Sequence, residues 1–92
     1  MEKIRLLLVD DHTLVRQGIR SLLEIQEDIE VVAEASGGHE AIAKAAELRP
    51  DVILMDLAMP DLNGMEATRQ IKTEHPEIQV LALSMHGTDD YL

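Results

Sequence analysis

Two short apolar runs in this chain end in acid. Leu6-Leu7-Leu8-Val9 leads into Asp10-Asp11, and Val52-Ile53-Leu54-Met55 leads into Asp56. The first run begins at Ile4 and is apolar apart from Arg5. Such runs are short for a buried helix, and unbroken apolarity suits a strand covered on both faces, as in a parallel sheet flanked by helices. If the two strands are neighbours pointing the same way, three carboxylates meet at one edge of the sheet. That negative spot needs a cation.

The rest of the chain alternates between helical and extended patterns. Thr13 is a candidate N-cap, and Leu14, Val15, Gly18, Ile19, Leu22 and Leu23 recur at helical spacing, predicting a helix from about Leu14 to Ile25. Glu30 to Ala35, with Val31 and Val32, reads as a second strand. Ser36-Gly37-Gly38 then turns into a helix carrying Ile42, Ala45, Ala46 and Leu48, which Pro50 ends. After the third strand, Val52 to Met55, a loop through Met59-Pro60-Asp61-Leu62-Asn63-Gly64 leads to a helix that runs to about His75 and stops at Pro76. Gln79 to Ser84 is the fourth strand. Gly87, Thr88, Asp89 and Asp90 suit the start of a further helix.

Strands and helices alternating at these spacings call for right-handed crossovers, which makes the fold class α/β with a doubly wound parallel sheet. Ligands bind such sheets beyond the carboxyl ends of the strands, where the strand order reverses. Asp10, Asp11, Asp56 and Ser84 each fall at a strand end.

Bulk properties narrow the function. Ninety-two residues make one domain at most. With 8 basic and 18 acidic side chains the net charge is −10, which opposes direct binding to nucleic acid by this segment. There is no cysteine, so disulfides, thiolate metal sites and a cysteine nucleophile are excluded. The apolar stretch near the N-terminus is too short for a signal peptide or a membrane span, and the expectation is a soluble cytoplasmic protein. His12, His39, His75 and His86 lack metal-ligand spacing and read as surface or capping residues. Ser36-Gly37-Gly38 lacks the spacing and lysine of a nucleotide loop. Met55, Met65 and Met85 read as core or near-core fillers.

Two carboxylates about 5 Å apart repel by roughly 3 kcal/mol at an effective dielectric of about 20, equivalent to about two pKa units. Three would partly protonate or capture a cation. All-oxygen ligation with room for water suits Mg²⁺, and a carboxylate beside Mg²⁺ can act as a nucleophile towards a phosphoryl donor. Taken singly, each aspartate also fits an N-cap or a turn. Their order and spacing, with the loop after Asp56 and the serine after the fourth strand, are harder to explain by turns.

At these residues the chain resembles a known family, the receiver domains of two-component response regulators. The resemblance lies in Val9-Asp10-Asp11-His12, the stretch from Pro50 to Pro60, Asn63-Gly64 and Leu83-Ser84, and is most like the NarL-type transcription regulators. It implies a flavodoxin-like receiver domain over residues 1–92, a cytoplasmic phosphoprotein with a regulatory role that assists its own phosphorylation and dephosphorylation. By the resemblance, Asp56 accepts a phosphoryl group from a sensor histidine kinase. Asp11 binds Mg²⁺ directly, Asp10 binds it through water, Ala58 lends a backbone carbonyl, and Ser84 is the switch hydroxyl. Pro60 and Gly64 shape the loop beside the acceptor.

The family also carries a lysine and an aromatic switch residue after a fifth strand, and neither is found here. Lys3, Lys44 and Lys72 fall elsewhere, and Tyr91 falls in the nascent fourth helix. The expectation is therefore a domain incomplete at its C-terminus, lacking the fifth strand and last helix, with DNA contacted through an output domain not present in it. Val80 to Leu83 would be an exposed sheet edge, favouring a homo-oligomer or swapped dimer. Two other readings compete. A haloacid-dehalogenase-type phosphatase would want two aspartates separated by one residue, whereas Asp10 and Asp11 are adjacent. A receiver-like module that no longer switches would serve only as an interaction or dimerisation surface.

Overall fold

The computed structural model describes residues 2–57 and 63–83. Its elements are β1 (Ile4–Val9), α1 (Thr13–Glu24), β2 (Ile29–Ala35), α2 (Gly38–Leu48), β3 (Val52–Asp56), α3 (Gly64–Glu74) and β4 (Gln79–Leu83). The strands form one parallel sheet in the order β2-β1-β3-β4. The doubly wound α/β architecture expected from the alternating pattern is the one observed. The chain moves outward from β1 to β2, then crosses back over β1 to β3, so right-handed crossovers set α1 on one face and α2 and α3 on the other. In keeping with this, α2 and α3 pack on each other while, among the described elements, α1 meets only β1 and β2.

The two faces are held differently. On the α2–α3 side, Leu7, Val9, Ile53 and Met55 close against Ala35, Ala41, Ala45, Ala67, Ile71 and Ile78, all buried. The small alanines on α2 and α3 allow the helices to sit close to the sheet. Leu6 and Leu8, the alternate residues of β1, are buried on the other face. There α1 contributes no fully buried side chain, and Leu14, Leu22 and Ile25 are mostly exposed. Met55 is buried as a core filler should be, but Met65, expected beside it, is exposed in the first turn of α3. Met85 and the nascent fourth helix lie outside the described residues. Among the described strands β2 and β4 are the outer two, and Leu81 on β4 is exposed.

Besides the half-buried Val15, Ile19 and Leu23, an ion-pair cluster made possible by a bulge in β2 ties α1 to the sheet. Leu6 pairs with Val31 but Leu7 pairs with Ala33, so Val32 is an extra residue. Side chains alternate along a strand, and one extra residue reverses which face the following ones take. Ala33 and Ala35 thereby join the α2–α3 core, and Glu34, opposite Leu8, turns to the α1 face. There it accepts from Arg16 Nε at 2.8 Å and from Arg20. Arg20 also bonds Glu24 one turn on. Burial pushes the Glu34 carboxyl up, but the hydrogen bonds from Arg20 and Arg16 outweigh it and hold it below the ordinary range. The Glu40 carboxyl is lowered as well, chiefly by the Ser36 amide, which donates to it at 2.8 Å.

Helix ends follow local chemistry, with two departures. Asn63 caps α3, its side chain accepting from the Glu66 amide at 2.8 Å. Beyond His75 the chain turns at Pro76, and Lys72 satisfies the carbonyls of Pro76 and Ile78. At α1, however, Thr13 is the first helical residue, and His12 holds the N-cap position without a side-chain cap. The turn is built on Asp10 instead, whose Oδ1 accepts from the His12 amide at 2.7 Å. At the end of α2, Arg49 takes a left-handed conformation (φ 46°) before buried Pro50. Its carbonyl accepts from Arg5 Nη1 at 3.0 Å, tying the helix end to β1.

Gly64 is required where it stands. Its amide donates to the Leu57 carbonyl at 3.1 Å, closing the loop after β3. A Cβ there would lie 2.2 Å from the Asp56 carbonyl oxygen and 2.6 Å from Leu57 Cα. Those are backbone atoms, so the strand end itself would have to move.

Two predictions follow from this packing. Gly64→Ala is expected to destabilise the chain by about 1–3 kcal/mol in denaturant melts, while Gly18→Ala, where a Cβ meets nothing within 4 Å, gains about 0.5–1 kcal/mol from helix propensity. Because Glu34 and Glu40 are depressed when folded, the stability they contribute is complete above the ordinary glutamate value of 4.5 and is lost as pH falls through their lower folded values. Melting temperatures of wild type and Glu34→Gln should therefore differ at neutral pH and converge on acidification below that value.

Candidate metal centre

The strand order reverses between β1 and β3, and it is there that the acidic residues collect. Parallel pairing runs Leu6 with Val52 to Val9 with Met55. That register carries Asp10, the next residue of β1's chain, and Asp56, the last of β3, to the same edge. Asp10 is 2 % exposed and Asp56 2 % exposed, the two buried charged residues of the described chain. Ligand atoms of Asp10, Asp11, His12 and Asp56 all lie within 4.8 Å of one another.

Each carboxylate has a distinct setting. The Asp10 amide donates to Ala35 O on β2 at 3.1 Å, which extends the sheet by one bond. Its Oδ1 takes the His12 amide at 2.7 Å and faces His12 Nδ1 at 3.2 Å. Asp11 Oδ1 is buried and accepts no hydrogen bond from the described residues, although His12 Nδ1 stands 3.1 Å away, off the direction a bond requires. An unbonded buried carboxylate oxygen is costly unless a cation or water reaches it. Asp56 sits at the mouth of the loop that Gly64 closes, and its neighbour Leu57 donates to Leu83 O of β4 at 3.2 Å.

Of the residues expected at the site, the fold brings together Asp10, Asp11 and Asp56. Ala58 and Ser84 lie outside the described residues, as do Pro60, His86 and Tyr91. Leu83, the residue before Ser84, is the register partner of Asp56. His12 was not expected. Its lack of ligand spacing argued against it, yet its place next to the aspartate pair, in the turn that Asp10 builds, was the available signal. Neither His39 nor His75 joins a metal-ligand group among the described residues. Oxygen-rich donors with one unsatisfied oxygen fit a hard divalent cation better than a site built from nitrogen and sulfur.

Comparison with known proteins bears on the same residues. The family model for the response regulator receiver domain matches residues 6–92. The response regulator VraR of Staphylococcus aureus is 60% identical over 81 residues, which is 88% of this chain and 39% of that protein. The chain thus spans about two fifths of the length of this curated relative. Among solved structures, the receiver domain of NarL from Mycobacterium tuberculosis superposes with a TM-score of 0.88 at 32% identity, covering 94% of this chain and 69% of that one. RcsB of Salmonella enterica, solved bound to a promoter in the presence of the phosphomimetic BeF₃⁻, gives a TM-score of 0.85 at 30% identity, covering 94% of this chain and 44% of that one. Agreement this extensive in sequence, on a fold that delivers its aspartates to the switch-point edge, settles the kinship: the chain belongs to the response regulator receiver domain family.

Proposed function

We infer that the chain is the phosphoryl-accepting signalling domain of a two-component response regulator, with Asp56 as acceptor and a sensor histidine kinase as donor. The observation that carries this reading is the buried Asp56 carboxylate at the end of β3, within 4.8 Å of the Asp10–Asp11 pair across the switch point. An isolated turn residue has no reason to be buried among like charges.

The donor set fits Mg²⁺. Asp11 Oδ1, buried and without a hydrogen bond, is the oxygen suited to direct ligation. Asp10 Oδ1 already takes a main-chain amide, which suits Asp10 to act through water from its other oxygen. Held by these residues, Mg²⁺ would offset the pooled carboxylate charge and polarise a phosphoryl group. The Asp56 oxygen then attacks the phosphorus, the nitrogen–phosphorus bond of the kinase phosphohistidine breaks, and the imidazole leaves with its electron pair. The product is an acyl phosphate on Asp56. Ala58, by its backbone carbonyl, and Ser84, by its hydroxyl, complete the site by resemblance to the family.

The role is regulatory: the domain helps its own phosphorylation and hydrolysis and acts on no separate substrate. RcsB, with its promoter and phosphomimetic, supports an output at DNA through a domain outside this segment, whose charge of −10 opposes direct contact. Among the described residues no helix is long and apolar enough to cross a membrane, which agrees with a cytoplasmic setting. Exposed Leu81 on β4, with Leu14 and Leu22 on α1 and Ile25 just after it, supplies apolar surface for pairing with a second copy.

Acetyl phosphate with Mg²⁺ is expected to give a phosphate-dependent gel shift that EDTA prevents and Asp56→Asn abolishes; a shift that persists in Asp56→Asn removes that residue as acceptor. In Mg²⁺ titrations, Asp11→Asn should weaken binding more than Asp10→Asn, by about tenfold or more.

A further inference from the structure

Among the described residues, Arg16 is the one side chain that joins the ion-pair cluster under α1 to the acidic edge. Its Nη1 donates to the Asp10 carbonyl at 2.5 Å while its Nε donates to Glu34 Oε1 at 2.8 Å. The side chain is 16% exposed and Glu34 23% exposed. Arg16 is itself held by the first bond of α1, its amide donating to His12 O at 2.9 Å. Glu34 is held from a second side by Arg20, and its carbonyl accepts from Lys44 of α2 at 2.9 Å.

We propose that Arg16 is a positioning residue for the metal site: braced on Glu34, it grips the Asp10 carbonyl and fixes the Asp10–Asp11 peptide that aims the Asp11 carboxylate. The proposal rests on the reading of Asp11 as a metal ligand. An Asp10 carbonyl free to rotate would turn the whole peptide plane, because that plane carries the Asp11 amide, and Asp11 would swing with it. Around Asp10 the amide is fixed to Ala35 O and the side chain to the His12 amide. The carbonyl is the remaining handle, and Arg16 holds it. A planar guanidinium can hold two acceptors at once in a set geometry, which a lysine ammonium on a flexible stem does not reproduce. The β2 bulge completes the device. Without Val32 as the extra residue, Glu34 would stand opposite Val9 and face the α2–α3 core, and Arg16 would have no brace.

The test is calorimetric titration of Mg²⁺ into the full chain and into Arg16→Gln, Arg16→Lys, Glu34→Gln and Arg20→Gln, each with its melting temperature. Arg16→Gln and Arg16→Lys are expected to weaken Mg²⁺ binding about tenfold, the usual size of a loss behind a metal ligand. Glu34→Gln should weaken it less, since Arg16 keeps its bond to Asp10. Arg20→Gln, which loosens the same cluster without touching Asp10, should lower the melting temperature and leave Mg²⁺ affinity unchanged. Equal weakening by Arg20→Gln and Arg16→Gln, or wild-type affinity in Arg16→Gln, overturns the proposal. Should Arg16→Gln fail to fold, Arg16→Lys and Glu34→Gln decide it, and wild-type affinity in both overturns it. If wild type takes up no Mg²⁺, the metal-site reading itself fails, a result distinguishable from wild-type binding that survives in Arg16→Gln.

Discussion

Repulsion among Asp10, Asp11 and Asp56 at one buried edge is the constraint the rest of the structure answers. Like charges within 4.8 Å oppose folding unless dipoles and cations face them, because burial removes the water that would screen them. The chain supplies part of the answer locally. The His12 amide faces Asp10 Oδ1, and Arg16 brings a cation to the Asp10 carbonyl. The part left over, the buried Asp11 oxygen without a hydrogen bond, is a tension that a bound cation relieves.

The two faces of the sheet divide the labour. The α2–α3 face is apolar and closely packed around Ile53, Met55 and Ile71, and it gives β3 a rigid end on which Asp56 is set. Gly64 lets the start of α3 lie directly against that end. The α1 face adds to the contacts of half-buried Val15, Ile19 and Leu23 the Glu34 carboxylate between Arg16 and Arg20. Partly exposed ion pairs stabilise modestly, but their geometry is directional, and here direction matters because α1 begins at the acidic edge. Apolar packing supplies stability on one side, and charge placement supplies aim on the other.

Much of this was legible before any coordinates. Element order followed from apolar runs, helical spacing and the prolines after α2 and α3, and the aspartates identified themselves by closing strands. Local context misled at smaller scale. Thr13 has the chemistry of a cap, but Asp10 builds the turn first and shifts the cap position to His12. Arg49 adopts a conformation that favours glycine, since its carbonyl is wanted by Arg5 and Pro50 prevents the helix from continuing. Met65 has the look of a core residue, yet its place in the first turn of α3 leaves it outward. Ala58 and Ser84, readable only through family resemblance, fall outside the described residues.

By itself the sequence determined the kind of fold and the identity of the acidic triad, because both depend on local periodicity and on where a run of side chains stops. Tertiary structure alone decided which residues surround the triad. The β2 bulge has no composition or spacing to announce it, for it arises when β1 and β2 must match registers while keeping Ala33 and Ala35 in the core. Once it forms, Glu34 turns towards α1, Arg16 is braced, and the Asp10 carbonyl is held. That contact joins β2, α1 and the turn after β1, and only the folded sheet brings them within reach.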